Sequence, residues 1–262
     1  MYDYNLIDSE RKEGYAWYGG WAAGMLEEYK IWREKWADRL RAADLIPVAL
    51  VGDSTVCTFS ETDWRRGWGQ CIGEYFADNV EIGNYAKSGR STKTFLSEGL
   101  WDKVLADKPL FILIQFGHND NHAPERPEST AADADYTNNL LRYIDDARAI
   151  GATPILITPM HRRKFYATGR MNDTLLPYAD AMKKAAHKKK VALVDLHTAS
   201  GELFEKIGEA QANQMSDDPA DRTHFNLAGA RAMAELIIKQ LPQVEPTIKV
   251  CLKAAKEEKS VP

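Results

Sequence analysis

Between residues 47 and 240 the hydrophobic positions fall into two alternating kinds of run. Short β-rich stretches, several of them apolar almost throughout, occur at PVALVGD (47–53), VEIGNYA (80–86), LFILIQFG (110–117), PILITPM (154–160) and VALVDLH (191–197). A strand with one wet face alternates apolar and polar residues, so runs without that alternation predict strands buried on both faces. Helical stretches are predicted between them, near 67–77, 91–106, 135–150 and 174–189, with a last one near 226–240 that Asn226 is placed to cap. Strands alternating with helices predict an α/β domain of three layers, a parallel sheet with helices on both faces.

Residues 1 to about 45 follow a different pattern. Met25, Tyr29, Trp32, Trp36, Leu40 and Ala43 recur at steps of three and four, the stripe of an amphipathic helix, and Trp17 and Trp21 add aromatic surface. Such a stripe most often packs on its own domain; the alternatives are a homodimer contact and a wall of a binding cleft. The expected division is an N-terminal Trp-rich helical extension (1–45), the α/β domain (46–245) and a C-terminal tail (246–262).

Composition narrows the partners. A chain of 262 residues with 44% hydrophobic content has material for one large core. Its net charge of −4 gives no basic footprint for nucleic acid, and no apolar run approaches the roughly 20 residues that span a bilayer. The start, MYDYNLIDSERKEGY, lacks the basic residues and apolar stretch of a secretory signal, so a cytoplasmic protein or a trimmed sequence is expected. Cys57, Cys71 and Cys251 are an odd number without metal-binding spacing and read as reduced thiols, a Cys57–Cys71 bridge staying open.

The candidate chemistry begins where the first strand stops. PVALV runs into Gly52-Asp53-Ser54-Thr55, an acid and two hydroxyls where a core would continue with Val or Leu. Ligands of open α/β sheets sit beyond the carboxyl ends of the strands, and Ser54, Gly89 and Asn119 each follow a predicted strand, so they converge on one rim. A serine hydroxyl becomes a useful nucleophile when a histidine takes its proton and an acid orients that histidine. Asp221 and His224, three residues apart, would share one face of a helical turn and supply both. The N–H groups of Ser54 and Gly89 and the Asn119 amide would then stabilise an oxyanion, each such donor being worth ~3–4 kcal/mol. The α/β-hydrolase elbow Gly-x-Ser-x-Gly does not fit, because Val56 stands where its second glycine belongs.

Four blocks carry a family resemblance: VGDST (51–55), NYAKSGRST (84–92), QFGHND (115–120) and DPADRTHFN (218–226). In this order they resemble the SGNH, or GDS, hydrolase superfamily over residues 47 to about 240, and within it the rhamnogalacturonan acetylesterase-like carbohydrate esterases. The resemblance implies a flavodoxin-like α/β/α domain with a five-stranded parallel sheet. It also implies cofactor-free and metal-free removal of O-acetyl groups from plant cell-wall oligosaccharides of pectin, rhamnogalacturonan or xylan type. Catalytic roles carry over to Ser54, Asp221 and His224, and oxyanion roles to Ser54, Gly89 and Asn119. Two departures stand out: the Trp-rich extension before Pro47, and the absence of the export signal of secreted members.

Several residues stay open to more than one reading. Arg90 and HRRKF (161–165) could pair with sugar carboxylates through Arg162, Arg163 or Lys164, although charge runs are mostly solvated faces. His118 is a further substrate-contact candidate. HNDNH, with Asp195 and His197 elsewhere, offers metal-type ligands but no complete set of known spacing. Other expectations for the same residues are a broader lipase, thioesterase or arylesterase, and a non-catalytic carbohydrate-binding protein.

Overall fold

The computed structural model describes Glu34, Ala37, Asp38 and residues 40–253. The stripe from Met25 to Trp36, together with Trp17 and Trp21 and so the alternatives of a homodimer contact or a cleft wall, lies outside the described residues. Within them, Leu40 is buried in the core and Ala43 packs against it.

Five strands form one parallel sheet: β1 (Ile46–Gly52), β2 (Val80–Asn84), β3 (Phe111–Gln115), β4 (Thr153–Ile157) and β5 (Ala192–Val194), in the order β2-β1-β3-β4-β5. Pleating sends successive side chains to opposite faces, and here each face has its own core. Val48 and Leu50 of β1, Phe111 and Leu113 of β3, and Ile155 and Ile157 of β4 enter one cluster. Ala49, Val51, Ile112, Ile114 and Leu156 enter the other. Two-sided burial is why these segments carry no polar alternation.

The second cluster is covered by α1 (Thr92–Ser97), α2 (Leu100–Ala106), α3 (Thr137–Ala149) and α4 (Leu176–Lys189). The first is covered by α5 (Leu196–Asn213, interrupted at Gly208) and α6 (Leu227–Val244), which Asn226 caps by accepting the Gly229 N–H. The turn Pro246–Cys251 buries Ile248 and Cys251 against that same cluster. All three cysteines are free and buried. No helix among the described residues is long and apolar enough to cross a membrane.

Three expectations are corrected. Residues 67–77 form two 3-10 turns, Trp68–Gln70 and Ile72–Tyr75, because the Gln70 carboxamide oxygen accepts the N–H groups of Gly67 and Phe59 and ties the segment into a loop. The stretch 91–106 is split into α1 and α2 at Gly99, whose φ of 68° ends a right-handed helix. The last strand stops at Val194 because Asp195 accepts the Thr198 N–H and opens α5, a helix the sequence pattern did not predict.

The order of strands creates the crevice. From β1 the chain moves outward to β2 and then returns across β1 to β3, so the loops after β1 and β3 diverge above adjacent strand ends. Gly52 sits at this point with no room for a side chain: a Cβ would lie 2.5 Å from the Gln115 carbonyl oxygen and 2.5 Å from Cγ2 of Val56. Gly52→Ala should therefore destabilise the fold by about 1–3 kcal/mol through overpacking, seen as a lower urea midpoint with unchanged slope; an unchanged midpoint would show that β1 can shift freely.

Candidate active site

Beyond Gly52 the chain closes a tight turn on Asp53. Its carbonyl accepts the N–H groups of Val56 (3.1 Å) and Cys57 (2.9 Å), and its Oδ1 accepts the N–H and hydroxyl of Thr55, both at 2.8 Å. Thr55 Oγ1 in turn accepts from Gln115 Nε2 at 2.6 Å, and Gln115 Oε1 accepts from Trp68 Nε1 at 2.7 Å. Burial pushes the Asp53 carboxyl up, but His118 and Thr55 outweigh it and hold the group below the usual carboxylate range. The acid at the end of the most hydrophobic strand is thus the scaffold of the turn that presents Ser54.

The imidazole arrives from the far end of the domain. His224 Nε2 lies 2.9 Å from Ser54 Oγ, and His224 Nδ1 lies 2.7 Å from Asp221 Oδ2. Asp221 and His224 were expected on a helical turn; they lie instead in a loop that precedes α6. Asp221 Oδ1 accepts the N–H groups of Thr223 (2.6 Å) and His224 (2.8 Å), so the loop closes on the same carboxylate that meets the ring. Burial raises the Asp221 carboxyl, yet His224 and these two N–H groups hold it well below the usual range. A carboxylate, an imidazole and a hydroxyl in one hydrogen-bonded line can pass a proton from the hydroxyl to the ring.

Candidate donors lie in the loops after β1, β2 and β3. Gly89 adopts φ of 79° with open space where a side chain would be, a conformation that suits glycine. Among the described residues no hydrogen bond engages the N–H of Ser54 or of Gly89. Asn119 gives one amide proton to the Arg90 carbonyl at 2.9 Å, which joins the loops after β2 and β3 and leaves its second proton free. Ser54, Gly89, Asn119 and His224 are all carried by loops at the carboxyl edge of the sheet.

The expected substrate contacts fare differently. His118 is 2% exposed, with Nε2 3.1 Å from the Met160 carbonyl and Nδ1 3.5 Å from Asp53 Oδ2, so it lies beneath the site and away from any bound sugar. Arg162 is half-buried and spends its guanidinium on the carbonyl of His118, Asn121 Oδ1 and Thr174 Oγ1. Arg90 is paired with Glu98 at 2.9 Å. Arg163 is fully buried and cannot meet a sugar carboxylate. Phe59, which sequence reading passed over, stands edge-on to His224 with ring centres 6.4 Å apart and Arg65 stacked on it.

The HNDNH ligands do not converge, since His118 faces Asp53, Asp120 faces Thr92 and Thr130, and His122 faces Glu128. His161, Asp173 and His197 do cluster, but the two rings stack 4.0 Å apart at 20°. In-plane lone pairs of nearly parallel rings cannot meet at one ion. His197 instead bridges the Pro159 carbonyl and Asp173, both at 2.9 Å.

Fold and site together define an ester hydrolase of the three-layer α/β class. Residues 50–232 match the model of the GDSL-like lipase/acylhydrolase family, and the chain belongs to that family. It is a carboxylic ester hydrolase. It is 34% identical over 215 residues to the rhamnogalacturonan acetylesterase RhgT of Bacillus subtilis, covering 76% of this chain and 90% of that one. Among solved structures it resembles the YxiM protein of Bacillus subtilis, with TM-score 0.68 and 26% identity over 76% of this chain, and it spans 56% of that protein's length. The acetylxylan esterase Axe2 of Geobacillus stearothermophilus shares the fold at TM-score 0.60 and 18% identity, over 75% of this chain and 94% of Axe2.

Asp120 buttresses the Asn119 loop by accepting from Thr92 N, Thr92 Oγ1 and Thr130 Oγ1, and burial pushes its carboxyl up from 3.8 to about 7 against those bonds. The folded chain then holds a proton that the unfolded chain releases, so this stabilisation is present below about pH 4 and lost as pH rises through about 7. Asp120→Asn, which cannot ionise, should show a shallower fall in urea midpoint between about pH 4 and 7 than the wild type. Parallel curves for the two proteins would show that Asp120 ionises without penalty.

Proposed function

We propose that this chain is a carbohydrate O-acetylesterase that works through an acetyl-enzyme and acts on acidic oligosaccharides of the rhamnogalacturonan type. One observation carries the reading: the continuous line from Asp221 through His224 to Ser54, with contacts of 2.7 and 2.9 Å. Ser54 Oγ attacks the acetyl carbonyl while His224 Nε2 takes its proton, and Asp221 holds the ring with Nδ1–H directed at its carboxylate. The N–H groups of Ser54 and Gly89 and the free Asn119 amide proton receive the oxyanion. The ester bond then breaks, the sugar alcohol leaves with the proton from His224, and water attacks the acetyl-Ser54 by the same steps in reverse.

Two features support an acidic sugar. The relative RhgT carries the name rhamnogalacturonan acetylesterase, as does a protein of Emericella nidulans that is 26% identical over 229 residues, covering 76% of this chain and 89% of that one. In a chain of net charge −4, Lys87 after β2, Lys164 after β4 and Arg222 in the His224 loop make no ion pair among the described residues. Cations without a carboxylate partner in the loops around the site suit a polymer that bears carboxylates.

Ser54→Ala should lower acetate release by on the order of 10⁴-fold or more with the fold intact, measured on p-nitrophenyl acetate and checked by an unchanged urea midpoint. A variant that keeps a sizeable share of its activity would end the mechanism. In an acetate-release screen, acetylated rhamnogalacturonan oligomers should outrun acetylated xylan, and the double change Lys87→Gln, Lys164→Gln should reduce the first rate and spare the second. Equal rates on both polymers would remove the acidic-sugar assignment and leave the esterase.

A further inference from the structure

Arg163 is fully buried, yet it makes no ion pair among the described residues. Its Nη2 donates to two carbonyl oxygens, of Asp221 at 3.0 Å and of His224 at 2.7 Å. Its Nε and Nη1 have no hydrogen-bond partner, and its Cζ lies 4.5 Å over the Phe225 ring. The backbone continues the contact, the Arg163 N–H donating to the Arg222 carbonyl at 2.8 Å.

Stability does not account for such a group. A buried cation with unpaired nitrogens and no carboxylate against it is a poor substitute for an apolar side chain of the same volume. Burial pushes this guanidinium down to about 10, with the nearby Asp221 carboxylate pulling it back up. What the arginine does hold is specific. The loop from Asp221 to His224 turns its N–H groups of Thr223 and His224 toward the Asp221 carboxylate. The carbonyls of the two catalytic residues are then left to be satisfied separately, and one nitrogen of Arg163 takes both.

We propose that Arg163 is a positioning residue: it grips the carbonyls of Asp221 and His224 and thereby sets the alignment of the His224 ring with Ser54. The proposal rests on the triad reading given above. Arg163 itself touches neither substrate nor the reacting atoms, because the loop it grips lies between. A lysine would not reproduce the grip, since its ammonium is a strongly hydrated point on a flexible stem whereas the guanidinium is a rigid planar fork.

The test compares wild type, Arg163→Met, Arg163→Lys and Ser54→Ala on p-nitrophenyl acetate, with urea midpoints for each. For Arg163→Met we expect kcat to fall on the order of 10²-fold, the loss that follows a displacement of about 1 Å in a catalytic group. KM should stay within about two-fold and the urea midpoint should change little, because removal of a buried charge is offset by two carbonyls left without their donor. Arg163→Lys should recover part of kcat. A Met variant with wild-type kcat overturns the proposal, and so does one in which kcat and stability fall together while Lys restores both. If the Met variant does not fold, the Lys variant decides: a stable protein with a tenfold or greater loss of kcat supports the grip, and one with full kcat refutes it. Should Ser54→Ala remain active, the triad reading itself fails; should it be inactive while Arg163→Met is fully active, only the role of Arg163 fails.

Discussion

Burial of the sheet on both faces is the constraint from which the rest of this molecule follows. With the inner strands β1, β3 and β4 packed between two apolar clusters, polar groups find no place along the strands and gather at the ends. At the carboxyl edge of β1 and β3 they form a buried polar layer of Asp53, Thr55, Gln115, His118 and Asp120. Such a layer is tolerable only when its members satisfy one another. Most do: Trp68, Gln115, Thr55 and Asp53 form one chain of hydrogen bonds, and Asp120 has its own set of donors. The exceptions are Asp53 Oδ2 and His118 Nδ1, which face each other at 3.5 Å. They belong to the residues just before Ser54 and Asn119, so this contact ties together the two loops that carry those residues.

Much of this was legible in the sequence, for reasons that differ between elements. The five strands were readable because continuous apolar runs such as FILI (111–114) have few other uses in a domain of this size. Ser54, Gly89 and Asn119 were readable because each follows such a run, and strand ends in a parallel sheet share an edge. Asp221 and His224 were recognisable by the DRTHFN block and its spacing. The physical basis differed, a loop closed on a carboxylate in place of a helical turn, but either geometry brings residues three apart together.

What escaped the pattern depends on distant partners. Helix α5 has His197, Ser200, Gly201 and Gly208 in a sequence that looks like poor helix, and its reasons lie elsewhere in the chain: a Cβ at Gly201 would come within 2.9 Å of the His161 ring. The segment 67–77 looked helical until the Gln70 side chain is seen holding Gly67 and Phe59. The run HRRKF read as surface charge, because composition cannot tell a solvated arginine from one that carbonyls have drawn inside.

That run shows how one short segment can link the two halves of the site. Arg162 and Arg163 are consecutive, but they reach opposite walls. Arg162 donates to the carbonyl of His118 and to Asn121, on either side of Asn119. Arg163 donates to the carbonyls of Asp221 and His224. The loop that carries Asn119 and the loop that carries His224 come from β3 and from the chain before α6, and neither is covalently near the other. Both are fastened to the loop that follows β4, through guanidinium bonds to the carbonyls of His118, Asp221 and His224. Carbonyl oxygens are suitable handles, because a carboxylate in their place would add a charge beside Asp221 and compete with it for the imidazole. Cations bonded only to neutral acceptors therefore brace the site without supplying a rival anion to the Asp221–His224–Ser54 line.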